Sequence, residues 1–202
     1  AMNRIAPWLL DAQQRFIQFL EKNGRLSRAI EYLPSDDEIA ERRRNGAGLT
    51  TPEGAVLFAY SKMWLYDEVL ASPLPDDPWV ATALARYFPG AVRTTYATYM
   101  SRHPLSREII ATHVINSMLN RVGSTYVHRL TETTGAKPHE IVRAYLLARE
   151  IFGFVELWKQ IEALDGKVDN AAQMEMLVDS SRLIERGTMW FLRSRRLTDD
   201  MA

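Results

Sequence analysis

The chain has 202 residues, 47% hydrophobic and 25% charged, with 25 basic side chains against 25 acidic ones. A chain of this length buries roughly 70% of the surface its unfolded form exposes, so it needs no staple of disulfides or metal. It contains no cysteine, which excludes thiolate metal sites, cysteine nucleophiles and a disulfide scaffold. Zero net charge provides no field to gather nucleic acid. No apolar run approaches a membrane span, and the N-terminus lacks the order of a signal peptide. These features read as a cytoplasmic protein with neither nucleic acid nor membrane as partner. Ala1 ahead of Met2 reads as a remnant of cloning, so residues 1-2 are set aside and both ends are expected to have been chosen by hand.

The apolar period is helical throughout, and the expected fold is all-α, a single domain over 1-202 with about ten helices and no sheet. In the first segment Ile5, Trp8, Leu9, Ala12, Phe16, Phe19 and Leu20 share one helical face, and Asn23-Gly24 ends it. A short helix follows with Leu26, Ala29, Ile30 and Leu33. Within 35-72, Ser35 before Asp36, Asp37 and Glu38 predicts a capping box and an acidic first turn. The helix so started ends in Arg42, Arg43 and Arg44, a run read as compensation of the helix dipole rather than a phosphate site. Thr51-Pro52-Glu53 reads as an N-cap, a proline at the first helical position and first-turn acid. The helix over 52 to 71 carries apolar residues on nearly every side, which predicts a central place in the bundle.

The prolines of 72-78 predict a stiff connector. The remaining helices occupy 79-202: 79 to 87, 90 to 102, Ser106 to Gly123, 124 to 134, one begun by Lys137-Pro138 with inner face Ile141, Tyr145, Ala148 and Phe152, one broken from it by Gly153, and a last from Ala171 to Arg195. On the last, Ser180 and Gly187 are small residues at a spacing that lets another helix approach closely.

Catalytic signatures are missing. Gly46-Ala47-Gly48 has no strand before it and no phosphate-cradle continuation. His103, His113, His128 and His139 include no pair at metal-ligand spacing, and no nucleophile elbow occurs. No catalytic, cofactor-binding or metal residue is therefore assigned. The most polar stripe is His113, Asn116 and Asn120, running into Arg121. It could bind a small ligand with Arg121 as anion partner, or be satisfied structurally by Asp67 or Glu68. Trp64, Tyr66, Tyr96, Tyr99, Trp158 and Trp190 fit core packing better than a base-stacking platform. Arg193, Arg195 and Arg196 read as a solvated helix end.

Read as strings, the chain resembles the bacterial large-type NAD-specific glutamate dehydrogenases. The matching segments include Gly24-Arg25-Leu26-Ser27-Arg28-Ala29, Glu38-Ile39-Ala40-Glu41-Arg42, Thr51-Pro52-Glu53 and Leu74-Pro75-Asp76-Asp77-Pro78. They continue through Tyr87-Phe88-Pro89, His103-Pro104-Leu105, Arg107-Glu108-Ile109-Ile110-Ala111-Thr112, Thr125-Tyr126-Val127-His128-Arg129-Leu130 and Trp190-Phe191-Leu192-Arg193. Each is weak alone; their order along the chain is specific. The resemblance implies an all-helical region C-terminal to a dehydrogenase core, in an oligomeric parent that converts L-glutamate, NAD and water to 2-oxoglutarate, ammonium and NADH. The catalytic lysine and aspartate and the dinucleotide loop belong to segments upstream, so the fragment itself is expected to hold no cofactor and to have no activity of its own. Its expected partners are the catalytic domain of the same chain, neighbouring subunits and, through self-association, other copies. Where the family usually has leucine, this chain has Gly54. The family chain is expected to continue past the final helix. An amino-acid effector module and a free-standing helical adaptor are the alternative readings.

Overall fold

In a computed structural model, residues 7–100 and 102–199 are described; Ile5 and the junction at Ala1 lie outside them. Among the described residues there are twelve α-helices and no strand, two helices more than the sequence pattern suggests. The short helix expected around Leu26 to Leu33 is a single turn, Arg28–Glu31, and the segment read as one helix over 79 to 87 is two, broken at Thr82.

The first helix, α1 (Pro7–Lys22), buries Leu10, Ala12, Gln13, Phe16, Ile17 and Leu20, while Trp8 is half-exposed under the Arg129 guanidinium. The single turn α2 (Arg28–Glu31) sits between buried Leu26 and Leu33, and its own Ile30 points to water. A stable inward face needs more than one turn, so the period visible in the sequence is not used there. In α3 (Asp36–Arg44) the Ser35 hydroxyl accepts from the Glu38 N–H and the Glu38 carboxylate accepts from the Ser35 N–H, the capping box expected from the sequence.

The cap of α4 (Thr51–Leu70) is Thr50, not Thr51. Only from Thr50 does Glu53 occupy the third helical position, from which its carboxylate accepts the Thr50 N–H at 2.7 Å. Proline then stands in the second position. The helix is also less enclosed than expected. Leu57, Ser61, Trp64, Leu65 and Val69 form one buried stripe, but Met63 is half in water, and Val56, Phe58, Tyr60 and Tyr66 are only partly covered. It packs along α8 and α10, so one face is central and the other faces outward.

The connector after α4 is pinned as well as stiff. Its middle is a 3-10 turn, Leu74–Asp76, whose Leu74 and Pro75 are buried. The Arg107 guanidinium donates to the Leu70 carbonyl at 2.8 Å and the Ser72 carbonyl at 3.1 Å, and also pairs with Asp76. Then come α5 (Pro78–Ala81), α6 (Ala83–Tyr87) and α7 (Gly90–Met100), the last kinked at Tyr96. Tyr96 and Tyr99 are exposed and belong to no core, as does Trp190 later in the chain; Trp64 and Trp158 are buried as the sequence suggests.

The core continues from the buried faces of α1 and α4 into α8 (Ser106–Val122), α9 (Tyr126–Thr134), α10 (Pro138–Ile151), α11 (Phe154–Glu162) and α12 (Asn170–Asp199). Gly123 and Gly153 adopt φ of 85° and 67°, the left-handed region that lets the chain turn between helices. Helix α10 has α4, α8, α9, α11 and α12 against it, which explains why Ile141, Val142, Ala144, Tyr145, Leu146 and Ala148 are all buried. Phe152, expected on this inner face, is half-exposed because α10 ends at Ile151; its ring lies instead beside Gly187. A Cβ added at Gly187 would stand 3.0 Å from the Phe152 ring and 3.3 Å from the Ala148 Cβ, so the close approach of α10 and α12 depends on that glycine. Ser180 serves α12 differently, accepting the Trp158 indole N–H at 3.0 Å. Helix α12 runs to Asp199, beyond the expected end at Arg195; the side chains of Arg195 and Arg196 lie outside the described residues.

Candidate functional site

The five residues singled out from sequence do not share one site. Three grooves border them. Asn116 and Asp67 meet in an open groove with Lys62, Met63, Tyr66, Thr112 and Ile115. Asp67 is exposed there and accepts from Arg25 at 2.6 Å. Asn120 and Arg121 line a second groove beside Trp158 and Leu177. The Arg121 guanidinium lies 4.8 Å above the Trp158 ring and pairs with Glu162 at 2.7 Å, so its partners come from α11 and neither Asp67 nor Glu68 takes that part. His113 faces a third space, away from both.

That third space is a small recess between α5, α6, α8 and α10, with a cavity volume of about 30 Å³. Trp79, Val80, Val114 and Leu146 give it apolar walls, and Thr82, Arg86, His113, Ser117, Arg149 and Glu150 give it polar ones. Arg149 is the fixed element. It donates through Nη1 to the Ser117 Oγ at 2.9 Å and through Nη2 to the Glu150 Oε1 at 2.6 Å, with 14% of its side chain exposed. Arg86 is looser, 3.6 Å from the same carboxylate and 55% exposed. Burial first, then the charges of Arg149 and Arg86, hold the His113 imidazole below the ordinary histidine range. Sequence reasoning found His113 but missed both arginines, because Arg86 and Arg149 reach it from other helices and no local spacing links them.

His128 has a structural place. It is buried among the rings of Phe16, Phe19 and Trp64, and its Nδ1 lies 3.7 Å from the Glu132 carboxylate. Burial keeps it neutral by lowering its pKa. The arginine run of α3 is also structural, though by more than the dipole: Arg42 makes a two-pronged pair with Glu53, and Arg43 pairs with Asp11 of α1. Among the described residues no group of His, Cys, Asp or Glu could hold a metal ion, and no helix is long and apolar enough to cross a membrane.

The comparisons with known proteins bear on the whole fold rather than on the recess. Residues 46–202 match the family described as glutamate dehydrogenase, C-terminal. The chain belongs to that family. Among the relatives of this glutamate dehydrogenase C-terminal chain are proteins named NAD-specific glutamate dehydrogenase. One from Halomonas elongata is 43% identical over 182 residues, 90% of this chain and 11% of the relative. One from Pseudomonas aeruginosa is 40% identical over all 202 residues, 12% of its own length. A third, from Mycobacterium tuberculosis, is 38% identical over 187 residues, 93% of this chain and 11% of the relative. The chain thus spans about a ninth of the proteins it matches. A dinucleotide site requires a strand, a glycine-rich turn and a helix in succession. Here Gly46-Ala47-Gly48 joins helix α3 to helix α4, so that glycine pair is a connection between helices and not a dinucleotide turn.

Proposed function

We propose that this chain is a non-catalytic helical module of a large glutamate dehydrogenase, in which other segments oxidatively deaminate L-glutamate to 2-oxoglutarate with NAD as hydride acceptor. Its task is contact: it packs against the catalytic domain of its own polypeptide or a neighbouring subunit, in the cytoplasm, and couples their positions. The observation that carries this reading is an exposed apolar stripe on α12. Met176, Leu183 and Trp190 recur at steps of seven on one side of the helix, each 40% exposed or more, with exposed Ile151 and Phe152 nearby at the end of α10. Apolar residues repeated along one exposed face are a common signature of a surface that is covered in an assembly.

Two measurements test it. The purified chain incubated with L-glutamate and NAD should produce no NADH; turnover would defeat the reading. In the full-length dehydrogenase, Leu183→Asp with Trp190→Asp should loosen the assembly, read as a smaller species in light scattering or a lower melting temperature. An unchanged assembly with unchanged melting would remove the contact role.

A further inference from the structure

We propose that the recess between α6, α8 and α10 is a binding site for a small oxyanion, a carboxylate or phosphate group, received by Arg86, Arg149, His113 and Ser117. This inference stands apart from the dehydrogenase reading, since it rests only on the recess. Two guanidiniums border the space against one carboxylate, Glu150. With His113 neutral that leaves an excess of one positive charge. The apolar walls of Trp79, Val80, Val114 and Leu146 reduce the water that would otherwise screen it.

The donors are arranged for an anion rather than for a cation. Arg149 is held in place by Ser117 and Glu150. Because the Ser117 Oγ accepts from Arg149, its own hydroxyl hydrogen is left to donate. Thr82 uses its hydroxyl hydrogen on the Trp79 carbonyl, at 2.7 Å, and so contributes shape rather than a donor. Arg86, only loosely associated with Glu150, can swing onto a ligand and make a charge-assisted bond. The recess suits a headgroup, with the rest of a larger molecule left at the mouth beside the partly exposed Trp79.

His113 gives the site a pH response. The charged groups facing it are Arg86 from α6 and Arg149 and Glu150 from α10, with uncharged Ser117 one turn along its own helix. An anion among them offsets the two arginines and draws a proton onto the imidazole. Affinity therefore rises as the pH falls.

The test titrates the purified chain with acetate, succinate and inorganic phosphate, exchanged for chloride at constant ionic strength. Trp79 fluorescence and the His113 imidazole NMR signal are the readouts, with Trp79→Phe to assign the fluorescence. Saturable binding is expected, and acetate should bind roughly threefold or more tightly at pH 6 than at pH 7.5. Arg86→Gln should weaken it about tenfold, while His113→Asn should flatten its pH dependence. Circular dichroism establishes that each variant is folded; if Arg86→Gln is not, Ser117→Ala is the substitute and should also weaken binding. Preference for acetate or succinate assigns the site to a carboxylate, and preference for phosphate assigns it to a phosphorylated ligand. Absence of saturation with all three anions, an equal response to chloride, or undiminished binding in folded Arg86→Gln overturns the proposal.

Discussion

Helices α10 and α12 and the short helices α5 to α7 show two ways of using similar composition. Along α10, six residues are buried on a helix with α4, α8, α9, α11 and α12 around it; α12 closes against it at Gly187 and is tied to α9 through Thr188, whose hydroxyl accepts from Tyr126 at 2.8 Å. Among the described side chains of α5 to α7 only Val80, Leu84 and Met100 are buried, each helix being too short or too kinked to present a continuous face. The difference is one of covered length rather than hydrophobicity, since α7 holds Tyr96 and Tyr99 and leaves both in water. The His113 recess lies where the two regimes meet, with Arg149 from the closed side and Arg86 from the open one.

Truncation of core side chains should show this contrast most strongly. Leu119→Ala, at 1% exposure in α8, should cost about 3–5 kcal/mol in urea unfolding, and Leu84→Ala in α6 about 2 kcal/mol, because the open side can relax around the void. Equal losses would mean that α5 to α7 are as tightly packed as α8. Next in size, Tyr126→Phe removes the bond to Thr188, which still donates to the Ile184 carbonyl at 2.9 Å; the expected loss is about 1 kcal/mol.

Two glycines then give opposite signs. Gly187→Ala should lower stability by roughly 1 kcal/mol, the crowding against Phe152 outweighing the gain in helix propensity. Gly54→Ala should raise it by about 0.5–1 kcal/mol, because nothing lies within 4 Å of the added Cβ. Both are read as shifts in the unfolding midpoint. The open space at Gly54 also shows that a larger side chain begins without a clash there.

The smallest expected effect is a slope. The folded-state pKa of His128 is depressed by burial, so the unfolded chain takes up a proton first. Its contribution to stability is complete above about pH 6.5, the ordinary histidine value, and is lost as the pH falls below it. His128→Gln should flatten that decline in unfolding midpoints measured between pH 7.5 and 5, with His113 contributing a remaining part in the same direction.

The helical class and most element ends were legible in the sequence because caps and glycines act locally. Ser35 with Glu38, Gly123 and Gly153 fall where their chemistry requires. The Thr50 cap was misplaced by one residue because Thr51-Pro52 satisfies the commoner proline rule, whereas the Glu53 carboxylate selects the other threonine. Which apolar residues stay in water was less legible. Ile30, Trp190 and Phe152 carry the right period, but their exposure depends on where neighbouring helices stop. The candidate site was legible only at His113; its two arginines lie 27 and 36 residues away and reach it through the packing of α6 and α10 against α8.

The clamp of Arg107 on the carbonyls of Leu70 and Ser72 has a mechanical consequence. A proline-rich joint between two helical groups would ordinarily act as a pivot. Here the joint is riveted to α8 at the point where it leaves α4, and a second ion pair, Asp77 with Arg143 at 3.2 Å, ties its far end to α10. A push on the outward face of α4 therefore travels into α8 and α10 as a displacement of one stiff beam, and the His113 recess, built on those same two helices, lies along its length.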